Sequence, residues 1–240
     1  MNNNLSQQIK EIRDILHNSR HAVFFGGAGV STESGIPDFR GAAGLYKEQS
    51  NEYFLSRSCL YKEPEKFFEF YRKNMIFPDA KPNKTHLALA QLEEKGIIKA
   101  VITQNIDGLH QAAGSQNVIE LHGTTSRCYC TDCRKSYAPS CINDATGVPR
   151  CSCGGIIRPD VTLYEENLDG FSLFETKKHI DNSDVLIAGG TSLNVFPAAS
   201  FVAEYQKKHL IIINLSPTPY DHKAEYVINA KLSTVFEGLL

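Results

Sequence analysis

Four apolar residues, Ala22-Val23-Phe24-Phe25, break with no polar spacer into Gly26-Gly27-Ala28-Gly29, and this junction restricts the fold more than any other stretch. The apolar run has the length and the β-branched and aromatic character of a buried strand. The small residues after it let the backbone approach a ligand closely and reach positive φ. A helix following them would aim its N–H groups, and the positive end of its dipole, at an anion such as pyrophosphate. The pattern is that of a dinucleotide site, but the fit to G-x-G-x-x-G is incomplete. Gly27 and Gly29 supply two glycines and Thr32 stands where the third belongs. No clear strand ending in an acid follows about 20 residues on, where a ribose ligand belongs. Taken alone, the turn reads more readily as a plain strand-to-helix connection. The loop Ser34-Gly35-Ile36-Pro37-Asp38-Phe39-Arg40-Gly41 adds an aromatic, an acid and an arginine, whose guanidinium suits bidentate phosphate binding.

Further along, apolar runs alternate with helical patterns. Strands are expected at 99–103, 117–121, 156–164, 184–188, 210–215 and 226–228, and helices from Pro64 and over 85–95, 171–179, 197–208 and 232–240. Strands that are apolar nearly throughout imply a parallel sheet covered on both faces. Each strand end then delivers polar residues where open α/β sheets place their ligands. The strand at 99–103 delivers Gln104-Asn105-Ile106-Asp107-Gly108, which on spacing alone reads as loop capping before chemistry. The strand at 117–121 delivers His122-Gly123. A lone histidine is more often structural, but its place there gives the proton-exchanging reading equal weight. Phe67, Phe70 and Tyr71 share a helical face that reads first as a core stripe, and residues 41–85 also read as a lid over the site.

Six of the seven cysteines fall between Cys128 and Cys153, which points to a metal site rather than a disulfide framework. Cys130 and Cys133 form a C-x2-C knuckle; Cys151 and Cys153 form the second pair with one residue between them. Four thiolates fill a tetrahedral zinc site and leave no open position, so the ion is structural. Cys128 and Cys141 remain alternative ligands. A zinc ribbon also suits nucleic acid, but Arg127, Arg134, Lys135 and Arg150 are too few and too mixed with acids to favour it, and the net charge of −2 gives no basic field. The amino-terminal stretch carries Leu5, Ile9, Ile12 and Leu16 at helical spacing, so it reads as an amphipathic helix and not a signal peptide. No apolar run approaches the ~20 residues that span a bilayer. The expectation is a soluble, cytoplasmic protein.

The motifs GAGVSTESGIPDFRG, TQNIDGLH, ELHG, the cysteine pairs, IIRPDV, GTSLNV and INLS, in that order over essentially the whole chain, resemble the sirtuins. That resemblance implies an NAD-dependent protein-lysine deacylase with one catalytic domain over 1–240. A six-stranded Rossmann-like part (1–40, 84–125 and 160–240) would carry a helical module (41–83) and a zinc module (126–159). Ala28, Gly29, Thr32, Phe39 and Arg40 would line the NAD site, Gln104 and Asn105 would meet the nicotinamide ribose, and Ile106 and Asp107 the carboxamide. Thr191, Ser192, Asn214 and Leu215 would take the adenosine half. His122 would be the general base, with Asn105 beside it, and the products would be free lysine, nicotinamide and 2′-O-acyl-ADP-ribose.

An acyl-lysine peptide would add a strand along Val161-Thr162-Leu163-Tyr164-Glu165-Glu166, with Val161, Leu163 and Tyr164 as contacts. Sirtuins usually carry Phe-Gly-Glu at this point, so Tyr164-Glu165 is a departure that bears on the acyl-lysine tunnel. Succinyl-preferring relatives carry Tyr-x-x-Arg, and the match here, Tyr71 and Asn74, lacks the arginine. A neutral acyl group, acetyl, is therefore expected. Mono-ADP-ribosyl transfer to protein and a non-catalytic NAD-sensing or zinc-ribbon interaction module are the competing classes; His122 argues against the first, and Asn105, Asp107 and His122 together against the second.

Overall fold

The computed structural model describes residues 3–38 and 50–240. Its strands in chain order are β1 (Ala22–Gly26), β2 (Ile98–Thr103), β3 (Val118–Glu120), β4 (Gly123–Cys130), β5 (Ser136–Tyr137), β6 (Ile157–Val161), β7 (Val185–Gly189), β8 (His209–Ile213) and β9 (Tyr226–Ile228). Six form a sheet in the order β3-β2-β1-β7-β8-β9, and every described pairing in it is parallel. The other three form a small antiparallel sheet, β5-β4-β6.

Alternation along each strand sorts its side chains between two cores. Phe24, Val101, Ile187 and Ile211 pack under the helices Asn3–Asn18, Lys84–Glu94 and Leu232–Leu239. Val23, Phe25, Ile102, Leu186, Ala188 and Ile212 face the opposite way, onto Ile180, Val202 and Tyr205. Phe24 and Phe25 are both fully buried, one in each layer. Each such ring contributes about 1.5–3 kcal/mol of burial, which is why a two-sided apolar strand is stable only inside a three-layer α/β fold. A third core joins Phe67, Phe68 and Tyr71 of the helix Pro64–Asn74 to Ile142, Ile156 and Leu163 around the small sheet. The aromatic stripe is thus core, as its spacing implies.

Register fixes where the site lies. Gly26 pairs with Thr103 and Gly189, Thr103 with Glu120, and Ile213 with Gly189 and Ile228. All six strands of the parallel sheet therefore end at one level, and their outgoing loops share one edge. Strand order reverses between β1 and β7, so the loops after these two strands part above the sheet and leave a crevice.

Two expectations change. No α-helix follows the glycine turn after β1; the chain makes two short 3-10 turns, Ala28–Val30 and Thr32–Ser34. The Gly29 and Val30 N–H groups are used within the protein, on Gly190 O and Gly27 O, so the helix-dipole argument does not apply in that form. The helix expected over 197–208 shortens to Ser200–Ala203, although Ala198, Val202 and Tyr205 still point into the core. Phe39 and Arg40 lie outside the described residues. No described helix is long and apolar enough to cross a membrane.

Candidate active site

A cavity of about 770 Å³ opens where the loops after β1, β2, β3, β7 and β8 meet the segment following β6. Ala28, Gly29, Thr32, Gln104, Asn105, Ile106, His122, Val161, Leu163, Tyr164, Thr191, Ser192, Asn214 and Leu215 all line it. These residues come from six separate stretches of sequence; five follow strands of the parallel sheet that end at one level, and the sixth, Val161 to Tyr164, is brought in by β6 of the small sheet.

The β1 turn is drawn tightly against the turn after β7. Gly29 N–H donates to Gly190 O at 2.8 Å, and a Cβ on Gly29 would lie 2.8 Å from the Gly190 Cα. Gly190 itself sits at φ +61°. Glycine at 29 and 190 is thus required by close approach of two main chains. Gln104 crosses the crevice: its amide Nε2 donates to Gly26 O at 3.3 Å and to Thr191 Oγ1 at 3.0 Å.

Asn105 and Asp107 are held from behind by Ser31. The Asn105 amide donates to Ser31 Oγ at 3.0 Å, and Ser31 Oγ donates to Asp107 Oδ2 at 2.6 Å. Asp107 Oδ1 also accepts from Leu109 N–H at 2.9 Å. Asp107 does not line the cavity but sits in the network beneath it. Ser31, 1% exposed, is a site residue that the motif pattern did not single out. Its importance lies in partners 74 and 76 positions away, which no local pattern encodes.

His122 follows β3 and is fixed on two sides. Its Nδ1 lies 2.9 Å from Gln104 O, and its own carbonyl accepts from Thr162 N–H at 2.9 Å. A carbonyl only accepts, so Nδ1 carries the proton and the neutral ring has its basic lone pair on Nε2. Gly123, at φ +75°, lets the chain turn directly after the histidine; a Cβ there would collide with the Asp160 carbonyl.

One end of the cavity is apolar, with Leu55, Tyr71, Met75, Ile106 and Leu163 lining it. Asn74 is not among the lining residues; its amide donates to Phe70 O at 2.9 Å in its own helix. The segment after β6 is already organised. The buried Arg158 guanidinium binds the Glu166 carboxylate at 2.5 and 2.9 Å and Val161 O at 2.6 Å. Burial alone would raise the Glu166 pKa, but hydrogen bonds from Arg158 and from Leu163 N–H hold it below the ordinary carboxylate value. Tyr164 N–H donates to Leu55 O and its carbonyl accepts from Arg57 N–H. The main-chain groups of Tyr164 are therefore not an open edge. Glu165, standing where glycine is usual, takes φ +72° and accepts from Ser58 N–H at 2.9 Å.

The Sγ atoms of Cys130, Cys133, Cys151 and Cys153 lie within 4.8 Å of one another. Sulfurs 2.3 Å from a tetrahedral ion are about 3.8 Å apart. The Cys130–Cys153 and Cys133–Cys151 distances, 3.5 and 3.6 Å, fit that geometry. Gly155 allows the fit, since a Cβ there would lie 2.6 Å from the Cys130 sulfur. Cys128 and Cys141 stand outside the four. These four cysteines are positioned to hold a structural zinc, as the paired spacing indicates.

The Sir2 family model matches residues 27–197, which span the glycine turn, His122 and the four cysteines, and the chain belongs to that family. The NAD-dependent protein deacetylase of Clostridium tetani is 51% identical over 238 residues, covering 96% of each chain. That of Cutibacterium acnes is 52% identical over 229 residues, covering 93% of this chain and 94% of the relative. A solved Sir2 complex with p53 peptide and NAD+ is 40% identical over 95% of both chains, with a TM-score of 0.86.

Proposed function

We propose that this protein removes acetyl groups from protein lysines in an NAD-dependent reaction, giving nicotinamide and 2′-O-acetyl-ADP-ribose. The observation that carries the reading is the fixed orientation of His122. With Nδ1 committed to Gln104 O, the ring acts as a base only through Nε2, in a cavity that the glycine turn after β1 also lines. NAD, as co-substrate, supplies the bond to nicotinamide whose cleavage lets the acetyl group pass to ADP-ribose.

The chain's residues divide that work. Ala28, Gly29 and Thr32, with Phe39 and Arg40, hold the NAD phosphates and ribose, while Thr191, Ser192, Asn214 and Leu215 take the adenosine half. Gln104 and Asn105 orient the nicotinamide ribose and Ile106 the carboxamide, with Asp107 acting from the network beneath them through Ser31. His122 then accepts a proton from a ribose hydroxyl. Val161, Leu163 and Tyr164 contact the acyl-lysine peptide; since the Tyr164 main chain is paired with residues 55–57, its contribution is through the side chain. Residues 41–83 and 126–159 act as modules on a Rossmann-like body (1–40, 84–125 and 160–240). None of the seven cysteines is in a disulfide and four are placed for a metal, a usage typical of a reducing compartment, which supports a cytoplasmic place of action.

The test is mass spectrometry of an acetyl-lysine peptide with and without NAD, for the wild type and His122→Ala. NAD-dependent loss of acetyl with formation of O-acetyl-ADP-ribose, absent in the variant, is expected. Release of nicotinamide from a peptide that stays acetylated would replace this reading with ADP-ribosyl transfer. The apolar lining and the self-bonded Asn74 favour a neutral acyl chain, so turnover of an acetyl peptide exceeds that of a succinyl peptide; the opposite order removes that preference.

A further inference from the structure

Glu165 follows Tyr164 at the place where sirtuins usually carry glycine, and it lines the cavity. Its backbone takes φ +72°, the left-handed region that glycine enters without strain and other residues do not. One contact of the side chain holds it there: Oε2 accepts the Ser58 N–H at 2.9 Å, in the first turn of the helix Arg57–Lys62. That bond uses one carboxylate oxygen. The side chain is exposed, and among the described residues Oε1 accepts no hydrogen bond and the carboxylate has no ion-pair partner.

Neighbouring charges at the cavity wall are already matched. Glu166 holds the buried Arg158 guanidinium with both oxygens. Glu33 faces the Lys231 ammonium at 3.8 Å and accepts from Ser233 Oγ at 3.0 Å. Arg57 turns its guanidinium over the Tyr61 ring, 5.3 Å from the centroid, and forms no ion pair with Glu165. Glu165 therefore gives this segment a negative charge that the segment does not itself neutralise. Successive residues of an extended chain are about 3.3 Å apart, and an arginine or lysine side chain reaches further than that. A peptide laid along Val161 to Glu166 thus brings the side chains beside its acyl-lysine within range of this carboxylate.

We propose that Glu165 selects among protein substrates by charge. It favours an acyl-lysine that has arginine or lysine one or two residues away and disfavours one flanked by acids. The proposal rests on the reading that an acyl-lysine peptide binds along this segment. It differs from a purely structural tie between the segment and the helix Arg57–Lys62, which needs only an acceptor for the Ser58 N–H. Because the carboxylate is exposed, the discrimination is that of one surface ion pair, about three- to fivefold in kcat/KM for the peptide, and it weakens with salt.

Two variants separate the roles. Glu165→Gln keeps an acceptor for the Ser58 N–H and removes the charge; Glu165→Lys reverses the charge. The zinc-loaded full chain is assayed at saturating NAD with acetyl-lysine peptides that carry arginine, alanine or glutamate in turn at each of the two positions on either side. Each protein is compared with itself across the peptides, so a general loss of activity or of folded protein cancels in the ratio. Expected for the wild type is the order arginine, alanine, glutamate at one flanking position or more, compressed in about 0.5 M salt. In Glu165→Gln the arginine-to-glutamate ratio falls to near one, and in Glu165→Lys the order inverts. A wild type indifferent to flanking charge, or an arginine preference that survives in both variants, would overturn the proposal. A wild type that removes acetyl from none of the peptides would instead remove the functional reading on which it rests.

Discussion

Replacing His110 by leucine should flatten the acid side of the stability curve. His110 is 1% exposed, lies between His86 and Phe24, and has no hydrogen-bond partner for either ring nitrogen among the described residues. Burial, with a smaller contribution from His86, pushes its pKa down to about 3. The unfolded chain holds this group at about 6.5. The folded value is thus depressed, and the unfolded state takes up a proton that the folded state refuses. The stabilising contribution is present above pH 6.5 and is lost as pH falls toward 3. The slope in this window is about 1.4 kcal/mol per pH unit, so between pH 7 and pH 5 the folded state loses about 2 kcal/mol through His110 alone.

The assay is urea unfolding at a series of pH values for the wild type and His110→Leu, each refolded with zinc. Carboxylates and the cysteine cluster titrate in both proteins and cancel in the difference. The variant should lose less stability than the wild type by about 2 kcal/mol on going from pH 7 to pH 5. Parallel curves would refute the reasoning, because they would mean that His110 titrates alike in both states and is not desolvated as its position requires.

Gly123→Ala would set a Cβ against the Asp160 carbonyl at a backbone φ of +75°, moving His122 with it; deacetylation should fall about tenfold or more while the protein remains folded, as circular dichroism and kcat together would show. Cys133→Ser removes one of four thiolates, and metal analysis should find the zinc lost and the melting temperature lowered. Arg158→Met leaves the Glu166 carboxylate half-buried without its cation, at a cost of about 3 kcal/mol in denaturant unfolding, and it loosens the segment from Val161 to Glu166.

Much of this molecule is written locally. The two-sided burial of Val23, Phe24 and Phe25 follows from a short continuous apolar run, and such runs are stable only between two layers of helices. The paired cysteines are legible for a similar reason: ligands with one or two residues between them in a turn already lie near tetrahedral spacing, and a four-sulfur ion site follows from that chemistry. His122 is marked by its place between a strand and Gly123. Motif order along the chain names the remaining cavity residues without showing how they meet.

What tertiary structure alone decided is the set of contacts made across long separations. Ser31 reaches His86 at 55 positions, and Gln104 meets Thr191 at 87, because parallel strands bring distant loops to one edge. Short turns stand after β1 where a helix is expected, and there the Gly29 N–H is claimed by Gly190 O, a partner no window of sequence contains. Tyr164 pairs with residues 55–57 for the same reason. Periodicity records which side of an element is buried; which neighbour buries it, and which hydrogen bonds result, depends on how all the elements pack at once.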